Sequence, residues 1–265
     1  MNHEALLRLS TFLGVALALA LAEALAPRLA RPAERRLRWP ANLGLVAVST
    51  LVIRLSVPVL PVGLAALAQA KGWGLFNLLA ALGLPLPEPA AGLCAILLLD
   101  CAIYWQHVAS HRWRWFWRLH RVHHADTVLD LTTAVRFHPL EMLASLAYKL
   151  LLVLALGPPA WAVLAFELLL NALPMFNHAN VRLPLALDRA LRLALVTPDM
   201  HRVHHSADMR EANTNFGFCF PWWDRLFATY LDQPALGHAG MTIGLTIFRD
   251  RAWAGLWGLL RMPFA

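Results

Sequence analysis

Long apolar runs fill most of this chain, and short polar stretches separate them. Between Arg38 and Lys71 the only charged residue is Arg54, between Lys71 and Asp100 only Glu88, and residues 150–166 carry none. A bilayer core takes ~20 apolar residues as a helix, and a helix satisfies its own backbone there. The pattern therefore predicts spans near 5–25, 42–68, 89–107, 140–156 and 160–176. Gly157-Pro158-Pro159 cannot continue a helix and predicts a tight hairpin between the last two. Residues 72–87, with Gly72, Trp73 and Pro87, read as an interfacial or re-entrant piece. The C-terminal stretch of about 247–262 is apolar but broken by Arg249, Asp250 and Arg251, so it reads as an amphipathic helix on the membrane.

Composition agrees with an all-α integral membrane protein of four to five transmembrane helices. Of 265 residues, 59% are hydrophobic and 15% charged, and the mean hydropathy is +0.53, too apolar for a soluble enzyme of this size. Neither a repeat beyond the pentapeptide described below nor a low-complexity linker divides the chain, so residues 1–265 read as one membrane domain with a helical cap. The first loop carries Arg28, Arg31, Arg35, Arg36 and Arg38 against Glu34, and Arg112, Arg114, Arg118 and Arg121 follow the third span. The positive-inside rule puts both on the cytoplasmic side. The net charge of +7 flanks the spans, which favours anionic lipid head groups over nucleic acid. A cleaved signal peptide is the weaker reading of the first stretch, whose start lacks a basic region. Cys94, Cys101 and Cys219 have no paired spacing and read as packing residues. The alanine-, leucine- and arginine-rich, lysine-poor composition fits a bacterial cytoplasmic membrane.

The chemistry resides in the histidines. His-Arg-Val-His-His occurs at 120–124 and again at 201–205, and His107 and His111 precede the first copy by one short step. Positions i, i+3 and i+4 share one helical face, so each pentapeptide is expected to aim three imidazoles at one point. Burying so many rings without partners is costly, whereas a metal ion satisfies their lone pairs. Eight or nine imidazoles exceed the ligands of one ion, so two metals are expected, and nitrogen donors suit iron, zinc or copper over magnesium or calcium. The zincin helix is absent, because Val108 follows His107. The spans place all three clusters, and His178, on the cytoplasmic side.

The motifs resemble a known family, the fatty acid hydroxylase and sterol desaturase superfamily of membrane di-iron oxygenases. The resemblance covers about residues 100–230. It rests on Asp100 with His107-Val-Ala-Ser-His111, Trp117-Arg-Leu-His120-Arg-Val-His123-His124, Arg136-Phe-His138-Pro139-Leu-Glu141 and Phe176-Asn-His178-Ala-Asn180. Thr197-Pro-Asp-Met-His201-Arg-Val-His204-His205-Ser, residues 213–217 and Trp223-Asp-Arg-Leu-Phe-Ala-Thr-Tyr230 complete it. One departure is Ala228, where the family more often has glycine. The resemblance implies two iron ions held by His107, His111, His120, His123, His124, His178, His201, His204 and His205, with zinc as a misloaded substitute. It implies a hydrophobic tunnel for a lipid and oxygen-dependent hydroxylation or desaturation. His138 is a candidate for supporting the site or for starting the fourth span. Asp100, on the face of His107, is expected to orient a ligand ring, and Asp199, Asn177, Asn180, Asn213 and Asn215 are further supporting candidates. Glu167, in an apolar span, is expected to pair with Lys149 or Arg54.

With no dinucleotide-binding glycine motif, haem domain or ferredoxin cysteines in the chain, electrons must come from a separate donor: a ferredoxin, a cytochrome b5-like protein or a reductase. The competing reading is a membrane metal-binding protein or metal transporter, whose ligands usually sit at the bilayer midplane. A bis-histidine haem protein is third and leaves most of the histidines unexplained.

Overall fold

A computed structural model describes residues 3–30 and 35–265, and all regular structure among them is helical. Arg31 and Glu34 lie outside the described residues. The order is α1 (His3–Leu25), α2 (Arg35–Ser56), α3 (Pro61–Lys71), α4 (Leu75–Ala81), α5 (Glu88–Arg112), α6 (Arg114–His124), α7 (Pro139–Leu156) and α8 (Ala160–His178). Then come α9 (Leu185–Leu191), α10 (Pro198–His204), α11 (Met209–Ala212), α12 (Trp222–Leu226), α13 (Gly237–Gly240) and α14 (Leu256–Arg261). Among the described residues, five segments are long and apolar enough to cross a membrane: α1, Arg35–Ala81, α5, α7 and α8.

Two expectations need correction. The span expected at 42–68 is broken between α2 and α3, where Pro58 and Pro61 interrupt the helix. The C-terminal stretch is not one amphipathic helix. It is a 3-10 turn (Arg251–Trp253), α14 and another 3-10 turn (Met262–Phe264). Leu259 and Met262 are buried there with Ala41, Leu45, Val122 and Ala125, so this segment seals α2 against α6.

The hairpin at Gly157 is present. Gly157 ends α7 at φ 60, and a Cβ there would lie 2.1 Å from the Trp73 carbonyl oxygen, so both conformation and space require glycine. α5 explains how the core leads to the site. Ala91, Ala95, Leu99, Ile103, His107 and His111 recur every four residues and are all buried. Lower on this stripe Leu99 and Ile103 pack on Phe166 of α8. The same face, continued upward, carries imidazoles.

The histidine-bearing ends meet under a polar cap. Arg38, only 1% exposed, donates from Nε and Nη2 to the two carboxylate oxygens of Asp126, each at 2.6 Å, and from Nη1 to Asp130 at 2.8 Å. Arg136 Nε donates to the Val122 carbonyl at 2.8 Å. This buried network ties α2 to the loop directly after His124. Arg28 pairs with Asp199 at 3.0 Å. Two arginines of the basic first loop therefore hold the cap together and do not stand free at a membrane surface.

Candidate metal centre

All nine expected ligand histidines converge at the cap, in two groups. His107, His111, His120, His124 and His204 form one, and His123, His178, His201 and His205 the other; within each group the candidate ligand atoms lie within 4.8 Å of one another. The groups adjoin, with the rings of His124 and His205 stacked at 4.5 Å. Each pentapeptide divides between the groups, so the expectation that its three imidazoles meet at one point is corrected. In the first copy His120 and His124 enter the five-histidine group and His123 the other. In the second, His201 and His205 enter the four-histidine group and His204 the other. The reason is angular: residues i and i+4 point about 40° apart on a helix, whereas i+3 lies about 100° from i+4.

Hydrogen bonds at the outer nitrogens fix several tautomers. His107 Nδ1 donates to the Phe216 carbonyl at 2.7 Å, His204 Nδ1 to the Thr214 carbonyl at 2.7 Å, and His178 Nδ1 to the Pro174 carbonyl at 2.7 Å. His120 Nδ1 lies 2.6 Å from Glu141 Oε1, a carboxylate acceptor. Since carbonyl and carboxylate oxygens only accept, each of these rings carries a proton on Nδ1 and turns Nε2 inward. His107 and His120 thus bring their Nε2 atoms to 3.2 Å from each other. His178 Nε2 lies 3.0 to 3.1 Å from the Nε2 atoms of His123, His201 and His205. His204 Nε2 has no hydrogen-bond partner. Separations near 3 Å suit nitrogen atoms around one cation with metal–nitrogen distances of about 2.0–2.1 Å. Burial and the neighbouring imidazoles hold His123, His124, His201 and His205 well below the ordinary histidine range, and burial pushes His204 down to about 3. The rings are therefore neutral at physiological pH, the state a metal ligand needs.

The supporting residues differ from those expected. Asp100 orients no ring; it accepts from Trp223 Nε1 at 2.8 Å and from the backbone of Cys219 and Phe220. His138 belongs to neither group: its Nδ1 caps α7 by accepting from Leu140 N, and its Nε2 contacts the Leu260 carbonyl at 3.2 Å. Asp199 engages Arg28, Asn177 the Phe218 carbonyl, Asn180 the backbone of Leu29, and Asn213 the Met209 carbonyl. Asn215, at φ 52, bridges the Met200 and Leu231 carbonyls. These asparagines position backbone around the site without touching an imidazole.

Reading the sequence missed Glu141 as the carboxylate on His120, and Asp224. Glu141 is the lone acid in the 140–156 run, one turn into α7, and that placement is the signal that could have found it. Asp224 accepts from Phe216 N at 2.7 Å, Gly217 N at 2.8 Å and Thr229 Oγ1 at 2.7 Å. It thereby holds the loop whose carbonyls orient His107 and His204. Burial raises its carboxyl to about 6. Ala228, in the turn between Asp224 and Thr229, adopts φ 56, which explains why a glycine fits this position.

A cavity of about 480 Å³ reaches His107 and His120 from within the helical bundle, walled by α1, α2, α5, α7 and α8. A second, of about 600 Å³, lies along the outside of α5 and α7 beside Trp105, Trp113 and Phe116. Gln106, Ser110, Glu141 and Ser145 line both. Glu167 pairs with Lys149 at 3.5 Å, as expected, and also with Arg8 at 2.6 Å, not with Arg54.

Among characterised proteins, the chain is 28% identical over 170 residues to the ornithine lipid hydroxylase OlsE of Rhizobium tropici, covering 64% of this chain and 49% of that protein. It is 31% identical over 161 residues to the alkylglycerol monooxygenase of Homo sapiens, covering 60% and 34%, and 31% identical over 140 residues to that of Danio rerio, covering 52% and 30%. The chain spans half the length or less of these relatives. No solved structure matches it. The family described as fatty acid hydroxylase matches residues 92–229, just over half of the chain, from the buried stripe of α5 to the Asp224 turn. With its apolar spanning helices and buried histidine groups, the chain is an integral membrane protein that belongs to the fatty acid hydroxylase family.

Proposed function

We propose that the nine imidazoles hold two iron ions and that the protein hydroxylates a lipid C–H bond with dioxygen. The five-histidine group would bind one ion and the four-histidine group the other. The observation that carries this reading is the convergence of the nine imidazoles into two tight groups, with the Nε2 atoms of His107 and His120 3.2 Å apart and their Nδ1 protons fixed on the far side. So many imidazole nitrogens buried together lack partners enough among themselves, and a cation in each group would accept their lone pairs. The donor set is wholly nitrogen, which fits a transition metal.

Redox-active iron, when bound, supplies the power to activate dioxygen and remove hydrogen from an unactivated C–H bond. One oxygen atom enters the C–H bond and the other leaves as water, with two electrons and two protons drawn from a separate ferredoxin, cytochrome b5-like donor or reductase. The chain's own residues bind and orient. Glu141 and the Phe216 and Thr214 carbonyls keep Nε2 of three imidazoles aimed inward, and Arg38 with Asp126 anchors the loop after His124. The inner cavity, apolar beside Ile103, Phe137 and Phe218, excludes water and presents a chain to the His107 end. Hydroxylation is favoured over desaturation because the relatives named above are a hydroxylase and monooxygenases. The site faces the cytoplasm in this reading, since Arg112, Arg114, Arg118 and Arg121 flank the same end of α5 as the histidines.

The test is to purify the chain in lipid nanodiscs with iron, measure metal by mass spectrometry, and incubate it with lipid extract, a reductant and isotopically labelled dioxygen. About two irons per chain and a labelled oxygen atom in a lipid product are expected, both lost in a His204→Ala/His205→Ala variant. Failure to retain metal under any loading condition would overturn the reading.

A further inference from the structure

The inner cavity has a second polar end, and nothing in the metal chemistry uses it. A helical rise of ~1.5 Å per residue places Lys149 ~12 Å beyond Glu141 on α7 and Glu167 ~16 Å beyond His178 on α8, both away from the cap. By the same measure Ser49 lies ~10 Å beyond Asn42, which bonds Thr132 at the cap. Lys149, Glu167, Ser49 and Asn171 all line the cavity, and Phe12, Ile103 and Met142 are among the apolar residues of its wall. The slot thus runs from imidazoles at one end to ionic and hydroxyl groups at the other.

The deep end contains one donor without an acceptor, Ser49, and one only weakly paired, Lys149. Glu167 gives one oxygen to Arg8 at 2.6 Å, and its other lies 3.5 Å from Lys149 Nζ, at the limit of hydrogen bonding. Arg8 is further paired with Glu4 at 2.9 Å. The four charges sum to zero, so net charge does not draw an anion here. The count of donors is the relevant quantity: the Lys149 ammonium has three and one distant partner. Ser49 Oγ is buried and has no hydrogen-bond partner. An alkyl tail ending here would leave these groups unsatisfied in hydrocarbon, whereas an oxygen acceptor would serve them.

We infer that Lys149 and Ser49 form an anchoring subsite for the oxygen-bearing end of a single-chain amphiphile, a carboxyl or hydroxyl group, whose chain then runs up to His107 and His120. A cavity of about 480 Å³ is of a size to take one alkyl chain. This deepens the hydroxylase reading by naming a substrate class, and it sets the oxidised carbon by its distance from the anchored end.

The experiment is photolabelling of the full chain in nanodiscs with dodecanoic acid bearing a diazirine at its methyl end, with dodecanol, unlabelled dodecanoic acid and dodecane as competitors. The expected result is adducts at the cap end of the cavity, on Phe137 or Phe218. Labelling should fall at least tenfold in Lys149→Met, survive in Lys149→Arg, and be competed at least tenfold better by the acid or the alcohol than by dodecane. Ser49→Ala, which keeps the ion pairs, should weaken labelling about threefold and covers the case in which Lys149→Met does not fold. Adducts at Leu9, Phe12 or Leu170 would mean that the methyl end enters first and would overturn the anchor. So would labelling indifferent to both variants. Labelling needs no metal, so the anchor can fail while the metal site stands, and the reverse.

Discussion

Replacing Glu141 separates the two histidine groups experimentally. Its Oε1 lies 2.6 Å from His120 Nδ1 in a buried, charge-assisted hydrogen bond, and it touches no other candidate ligand. Such a bond contributes about 1.5–3 kcal/mol, and loss of a residue supporting a ligand typically costs about 10–100-fold in metal affinity. Glu141→Gln keeps the volume and an acceptor but loses the charge, so it belongs at the lower end, about tenfold. Glu141→Ala removes the acceptor and also opens the wall shared by the two cavities, and belongs near about 100-fold. Only the five-histidine group should be affected. Titration with iron or zinc against a chelator, with metal counted per chain, should show two classes of site in the parent and one weakened class in each variant. Equal weakening of both classes, or of neither, would refute the assignment of Glu141 as the orienting partner of His120.

Three further outcomes follow from the geometry. Asp224→Ala leaves Phe216 N and Gly217 N without their acceptor, each costing about 1–3 kcal/mol; thermal denaturation should show the loss, and an unchanged melting temperature would count against this role. Gly157→Ala forces a side chain onto φ 60 and against the Trp73 carbonyl, so destabilisation of at least about 1 kcal/mol is expected, read by the same method. Metal-free protein should lose stability as pH falls. The buried rings of His123, His124, His201, His204 and His205 have lowered pKa values, so the unfolded chain binds more protons below about pH 6.5. Each can contribute up to about 1.4 kcal/mol per pH unit until its own folded pKa is reached. A flat denaturation midpoint between pH 6.5 and 5 would contradict this.

Much of the architecture was legible because burial in a membrane leaves a coarse signature. The apolar runs located α1, α5, α7 and α8 to within a few residues, and Gly157-Pro158-Pro159 located the hairpin. The nine histidines stood out because clustered imidazoles in an apolar chain have few other uses. Their division between two groups was not legible: it depends on which way neighbouring helices turn a 100° difference between His123 and His124, and packing decides that. Asp100 shows the limit of periodicity. It lies on the face of His107 as expected, yet the indole of Trp223 reaches it first. Arg8 was overlooked as the partner of Glu167 because 159 residues separate them and only the packing of α1 on α8 brings them together.

The exchange of one histidine between the two pentapeptides has a consequence for how the protein is built. Because α6 lends a ring to the group dominated by α10, and α10 returns one, neither pentapeptide completes either group on its own. A chain still emerging, with residues 198–205 not yet synthesised, offers four rings of one set (His107, His111, His120 and His124) and two of the other (His123 and His178). The four-histidine group therefore stays half-built until the last histidine helix docks. The two groups thus mature unequally, and a chain truncated or misinserted before that helix keeps four rings of one and half of the other.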